Sequence, residues 1–162
     1  MQRVNELKDS QKSTKSKQFF RETNFDDYWT KKIRGNKFEQ GYSNHFIDLV
    51  EVEKNDAVLE VGTGEGRFIP SLVDKGVSYI GIDISDRILK RAKERVQTCN
   101  KSDAVLVTAD AEHLPFRNNI FDFALSFSTI FVVPNMEKAL IEMSRVSKRK
   151  VLIEFRSLFN LG

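Results

Sequence analysis

Two hydrophobic periods alternate along this chain: short apolar runs of strand length, and longer stretches with apolar residues three and four apart. Strand-length runs fall at 57–61, 78–82, 104–108, 121–126 and 151–155. Helical spacing predicts a helix near 66–75 that is stopped by Gly76. A second helix is opened by Ser85 and carries Ile88, Leu89, Ala92 and Val96 on one face. A third is opened by Pro134-Asn135, with Met136, Ala139, Leu140, Met143 and Val146 at helical spacing. Ahead of the first strand, Phe46, Ile47, Leu49 and Val50 predict a helix over 39–52. Strands separated by helices need right-handed crossovers, so the pattern predicts a doubly wound α/β domain. Its sheet is mostly parallel and covered on both faces.

The chain is organised around the end of the first strand, where Glu60-Val61-Gly62-Thr63-Gly64-Glu65-Gly66-Arg67 places three glycines at alternate positions before a helix. Such a turn leaves backbone N–H groups bare at the helix start and suits a ligand that lies against main chain. In doubly wound sheets, ligands bind beyond the carboxyl ends of the strands. The polar residues there form a set: Glu60 with the glycines, Asp83, Asp110, Ser126 and Ser128. An acid just past the second strand can accept hydrogen bonds from both ribose hydroxyls, and with the other strand ends it points to a nucleoside-like ligand. A dinucleotide turn wants a small sixth residue, yet Arg67 stands there and the third glycine comes one position early, at Gly66. Glu60 would also repel a pyrophosphate and suits a ligand that is positive at that end. These departures disfavour a nicotinamide-dependent oxidoreductase.

The motifs resemble those of class I S-adenosylmethionine-dependent methyltransferases, in particular the ubiquinone/menaquinone-biosynthesis-like small-molecule group, over about 57–155. Val58 to Gly66 resembles the first motif, Gly81-Ile82-Asp83-Ile84-Ser85 the second, and Ala109 to Phe116 the third; Phe121 to Ser128 resembles the fourth strand. The resemblance implies a Rossmann-like sheet of five strands in the order 3-2-1-4-5, binding S-adenosyl-L-methionine. The implied cofactor contacts are Glu60, Gly62, Thr63, Gly64, Gly66, Asp83, Ile84, Asp110, Ala111 and Ser126, with Asp83 on the ribose and Asp110 and Ala111 on the adenine. It implies methyl transfer to a small-molecule acceptor, with the catalytic residue left open; His113 is a candidate base, set against a variable position of that motif. His45 is read as a surface or half-buried residue of its helix. Family domains carry two further strands, and the chain stops at Gly162. Either the chain is a fragment, or an apolar edge at 151–155 is covered by a second copy or a partner subunit. A non-catalytic cofactor-binding subunit is the alternative function.

Composition refines this picture at the N-terminus. Of the 162 residues, 40% are hydrophobic, enough for one domain with a sizeable core. Residues 1–24 hold six Lys and Arg against three Asp and Glu, which accounts for the whole net charge of +3. They are expected to form a basic arm, with residues 1–17 unstructured, followed by an aromatic cap segment at 25–56 and the cofactor domain at 57–162. Tyr28 and Trp29 are candidates to lid the cofactor and face its cation. Cys99 alone gives no internal disulfide and fits a reducing compartment. No apolar run approaches the roughly 18 residues needed to span a bilayer, and no signal-peptide core is evident, so a cytoplasmic location is expected. No residue cluster has metal-ligand spacing, so no metal is expected.

Overall fold

The computed structural model describes residues 13–19, 21, 47–98 and 104–154. The main elements run β1 (Ala57–Val61), α1 (Ile69–Asp74), β2 (Ser78–Asp83), α2 (Asp86–Thr98) and β3 (Ala104–Thr108). They continue with β4 (Phe121–Phe127), a 3₁₀ turn (Ile130–Val132), α3 (Met136–Val146) and β5 (Ser147–Glu154). The five strands form one parallel sheet in the order β3-β2-β1-β4-β5. The doubly wound fold expected from the hydrophobic pattern is therefore present.

Alternation along the strands explains why both faces are covered. Val58, Tyr79, Phe123 and Leu125 point to one face, where they pack with Phe68, Ile69, Leu72 and Ala92 and with Ile47 and Val50 of the helical residues 47–50. Leu59, Val61, Ile82 and Ala124 point to the other, against Leu114 and the α3 residues Ala139, Met143 and Val146. Parallel strands buried on both sides need such near-continuous apolar runs. Local signals start the helices as read: Ser85 Oγ accepts from the Ile88 amide, and Asn135 Oδ1 accepts from the Lys138 amide at 3.0 Å. Pro70 sits in the first turn of α1, where its missing N–H costs nothing.

Three boundaries differ from expectation. The helix after the glycine turn begins at Ile69, because residues 64–68 are taken up by turns. The helix ahead of β1 has stopped by Glu51; its expected residues 39–46 lie outside the described residues. β5 starts at Ser147, four residues earlier than its apolar run, directly at the end of α3. Its first half is extended along β4, and its charges find partners on nearby segments. Lys148 pairs with Asp122, Arg149 with Asp56, and Lys150 with Glu51. The Arg149 guanidinium also lies 4.7 Å above the Phe123 ring. Among the described residues β5 pairs with β4 alone.

The arm also departs from its expected form, since residues 13–19 are helical. They have no apolar period, and an ionic contact ties them to the domain: Lys17 bridges Asp110 and Glu112. Tyr28, Trp29, His45, Cys99 and Phe155 lie outside the described residues. No described helix is long and apolar enough to cross a membrane.

Phe123 is fully buried at the centre of one core face. Phe123→Ala is expected to cost about 3–5 kcal/mol of stability, measured by urea unfolding; a loss below about 1 kcal/mol would show that this face is not close-packed.

Candidate functional site

The first strand ends in a turn whose shape is fixed from two sides. The amides of Gly62 and Thr63 both donate to the Ile82 carbonyl, at 2.8 and 2.9 Å, so the turn is hung from the end of β2. Gly62 has φ +77°, and a Cβ there would lie 2.2 Å from Thr129 Cγ2. Gly66 has φ +73°, and its Cβ would fall 2.5 Å from Ile69 Cδ1 and 3.3 Å from Ala92 Cβ. Both glycines are thus required by backbone conformation and by close approach.

Beneath the turn lies a buried polar group of three side chains. Glu60 follows Val58 by two residues, so strand parity directs it to the same face as Tyr79. Tyr79 Oη donates to Glu60 Oε2, Thr63 Oγ1 lies 3.2 Å from the same oxygen, and Thr63 Oγ1 and Tyr79 Oη are 2.7 Å apart. Gly81 makes this possible, since a Cβ there would sit 2.7 Å from Tyr79 Oη and 3.0 Å from Thr63 Cβ. Burial pushes the Glu60 carboxyl up to about 7; the Tyr79 and Thr63 hydrogen bonds and the Arg67 charge oppose this, while the Asp83 charge adds to it. Burial, followed by the neighbouring Glu60 charge, raises the Tyr79 hydroxyl well above its ordinary range. Proton counting agrees. Two hydroxyls supply two protons to three oxygen–oxygen contacts, and a proton on Glu60 completes the ring.

The other strand ends surround the turn. Asp83, at the end of β2, accepts the Gly64 amide on Oδ2 at 3.1 Å and the Ser85 amide on Oδ1 at 3.0 Å. These bonds aim the carboxylate across the turn. Ile84 is half-buried beside it. The β1–β4 ladder pairs Val58 with Phe123, Leu59 with Ala124 and Glu60 with Leu125. Beyond it, hydroxyls take over: Ser126 Oγ donates to the Val61 carbonyl at 3.0 Å, and Thr129 Oγ1 to the Gly62 carbonyl at 3.1 Å. The Ser126 side chain is wholly enclosed between these strands. At the rim, Ser128 has φ +55° and donates to the buried Glu154 of β5 at 2.9 Å.

Past β3, Asp110 and Glu112 form an acidic corner. Asp110 Oδ1 accepts the Glu112 amide at 3.0 Å, and Lys17 Nζ lies 2.7 Å from Asp110 Oδ2 and 2.8 Å from Glu112 Oε2. Burial works against the Asp110 charge, but the Lys17 ammonium and the Glu112 amide outweigh it and hold the carboxyl below its ordinary value. Ala111 is half-buried. His113 is exposed, with Nδ1 3.6 Å from Asp110 Oδ2 and Nε2 against Lys138 Nζ. Asp110, Glu112 and His113 have the mutual distances of a metal site, but the Lys17 ammonium lies against both carboxylates. Arg145 of α3 secures the following loop. It donates to the Leu114 and Phe116 carbonyls, to Asn118 Oδ1 and twice to Glu142, whose carboxylate accepts the Leu114 amide.

The structure thus brings Glu60, Gly62, Thr63, Gly64, Gly66, Asp83 and Ser126 around one turn, with Ile84 beside Asp83, while Asp110 and Ala111 stand at the end of β3. It adds Tyr79, Thr129 and Lys17, which pattern reading passed over. Tyr79 reads as a core residue and Lys17 as part of a solvated arm. The glycine at position 81, two residues after a tyrosine on the same strand, is the signal that was available for the former.

Because burial raises Glu60 in the folded state, its neutral form is the favoured one. The contribution of this group to stability should be fully present below about pH 4.5 and fall as pH rises through 7, by about 3 kcal/mol. Glu60→Gln should remove that slope. Urea unfolding of both proteins at about pH 5 and about pH 8 measures it, and identical slopes would overturn the assignment.

Comparison with known proteins places this geometry. Residues 59–154, more than half of the chain, match the family model described as a methyltransferase domain. The chain is 27% identical over 121 residues to the sterol 4-C-methyltransferase of Caenorhabditis elegans, covering 72% of this chain and 36% of that protein. It is 35% identical over 113 residues to the demethylmenaquinone methyltransferase of Paenarthrobacter aurescens (strain TC1), covering 67% and 42%. The chain thus spans less than half the length of these two relatives. The magnesium protoporphyrin IX methyltransferase of Synechocystis PCC 6803, solved with bound S-adenosylmethionine, superposes with a TM-score of 0.72 at 17% identity. That match covers 90% of this chain and 76% of the other, and at this identity it is a likeness of fold.

Proposed function

The chain belongs to the methyltransferase-domain family, and on that premise we propose that it binds S-adenosyl-L-methionine across the ends of β1 to β4 and methylates a small-molecule acceptor. The observation that carries this is the glycine turn, held open by hydrogen bonds to Ile82 and facing a carboxylate already aimed by two backbone amides. A Cβ at Gly62 would disrupt that cradle, and an acidic rather than basic surround suits a sulfonium and a free amine better than phosphates. The demethylmenaquinone and sterol methyltransferases among its relatives support a small-molecule acceptor.

In this proposal the turn from Gly62 to Gly66 holds the amino-acid end, while Glu60 and Thr63 shape it from beneath. Asp83 accepts the ribose hydroxyls, with Ile84 beside it. Asp110 and Ala111 receive the adenine edge. Ser126 acts through the backbone, fixing the Val61 carbonyl where β1 and β4 part. The cofactor supplies an electrophilic methyl on a positively charged sulfur. The protein's share is alignment of the acceptor with that methyl. Acceptors that carry a proton also need a base; His113, exposed and close to Asp110, is the candidate on this side of the site.

Calorimetric titration with S-adenosylhomocysteine, with NADH as control, tests the cofactor. Micromolar binding of the former alone is expected; binding of NADH alone would overturn the proposal. Asp83→Ala should weaken S-adenosylhomocysteine binding by about 1–3 kcal/mol, and unchanged affinity in the folded variant would remove Asp83 from the ribose site.

A further inference from the structure

Asp110 is the carboxylate assigned above to the adenine edge, where the amino group is the donor it would accept, and both of its oxygens are engaged. Oδ1 accepts the Glu112 amide, which belongs to the loop itself. Oδ2, the oxygen not used by that amide, accepts the Lys17 ammonium at 2.7 Å. The same ammonium is 2.8 Å from Glu112 Oε2, so two carboxylates hold it. The three side chains are only 17%, 21% and 6% exposed. Water therefore screens this contact less than it does an ordinary surface pair.

The neighbouring groups do not relieve the competition. Glu112 Oε1 is taken by the Asn135 amide at 3.0 Å, so Glu112 is fixed between the ammonium and the start of α3. His113 Nδ1 approaches Asp110 Oδ2 from the other side, and Lys138 lies against His113 Nε2. An incoming adenine amino group is a neutral donor, whereas Lys17 makes a charge-assisted bond to the same atom, of a kind roughly twice as strong. The lysine belongs to the helical residues 13–19, which are 93 positions away in sequence from Asp110.

We propose that residues 13–19 form an autoinhibitory strap, in which Lys17 occupies the adenine acceptor Asp110 and must be displaced before the cofactor can seat. This rests on the cofactor assignment made above. Cofactor then binds only the fraction of molecules with the strap open, and its apparent dissociation constant is the intrinsic one divided by that fraction. Salt weakens the ion pair and enlarges the open fraction. Cofactor affinity should therefore rise with ionic strength, whereas a lysine that merely helps to hold the ligand would give the reverse.

The test is titration of the full chain and of Lys17→Gln with S-adenosylhomocysteine at low and high salt. Lys17→Gln should bind about fivefold tighter at low salt, and its affinity should lose the salt-dependent rise seen in the unsubstituted chain. Equal or weaker binding by Lys17→Gln would overturn the strap while leaving the cofactor assignment intact. Failure of both proteins to bind would overturn the assignment, and the strap with it. A second measurement needs no variant. Trypsin cleavage at Lys15, Lys17 and Arg21 of the unsubstituted chain should accelerate when S-adenosylhomocysteine is added. Protection or an unchanged rate would count against displacement.

Discussion

The site depends on a carboxylic acid that no water reaches. Glu60 lies under the glycine turn with the hydroxyls of Tyr79 and Thr63 as partners. Burying a carboxyl without partners would cost several kcal/mol. The surrounding sequence supplies those partners and the room for them: a tyrosine on β2, a threonine within the turn, and a glycine at position 81. Charging Glu60 or enlarging Gly81 would press on the turn from below, so the cradle is set by core chemistry as much as by its own glycines.

That cradle lies where the sheet divides. The helix after β1 packs on one face and α3 on the other, so the switch in strand order falls between β1 and β4. The strand ladder stops short there, and backbone carbonyls that would otherwise be left unpaired receive hydroxyls from Ser126 and Thr129. A gap in hydrogen bonding is thereby turned into a rigid mouth. Ser128, with its positive φ, stands where the chain leaves β4 for the 3₁₀ turn. The rim is built from short polar side chains, which occupy little of the space a ligand needs.

Most of the sheet was legible in the hydrophobic pattern, because strands buried on both faces have little choice of residue. The polar half of β5 was not, since its extension depends on Asp122, Asp56 and Glu51, which are far away in sequence. The helical residues 13–19 were hidden for the same reason: their tie is an ion pair to Asp110 and Glu112, and ion pairs leave no period. Candidate site residues were visible as polar punctuation at strand ends. What their side chains do was not. Glu60 and Ser126 sit at the right positions but direct their oxygens into the protein, which only strand parity and the partners at Tyr79 and Val61 reveal.

Arg145 carries a consequence for how this protein tolerates change. Each of its five N–H donors is engaged, and the bonds to the 114–118 loop go mainly to the carbonyls of Leu114 and Phe116 rather than to side chains. The path of that loop is therefore set in part on α3, about thirty residues downstream, beside the packing of its own Leu114 and Phe116 in the core. The exposed Pro115 and Arg117 can change without loss of those backbone bonds, whereas Lys in place of Arg145 keeps the charge and loses the fork. Substitution at those two positions is then expected to leave the path of the loop as it is.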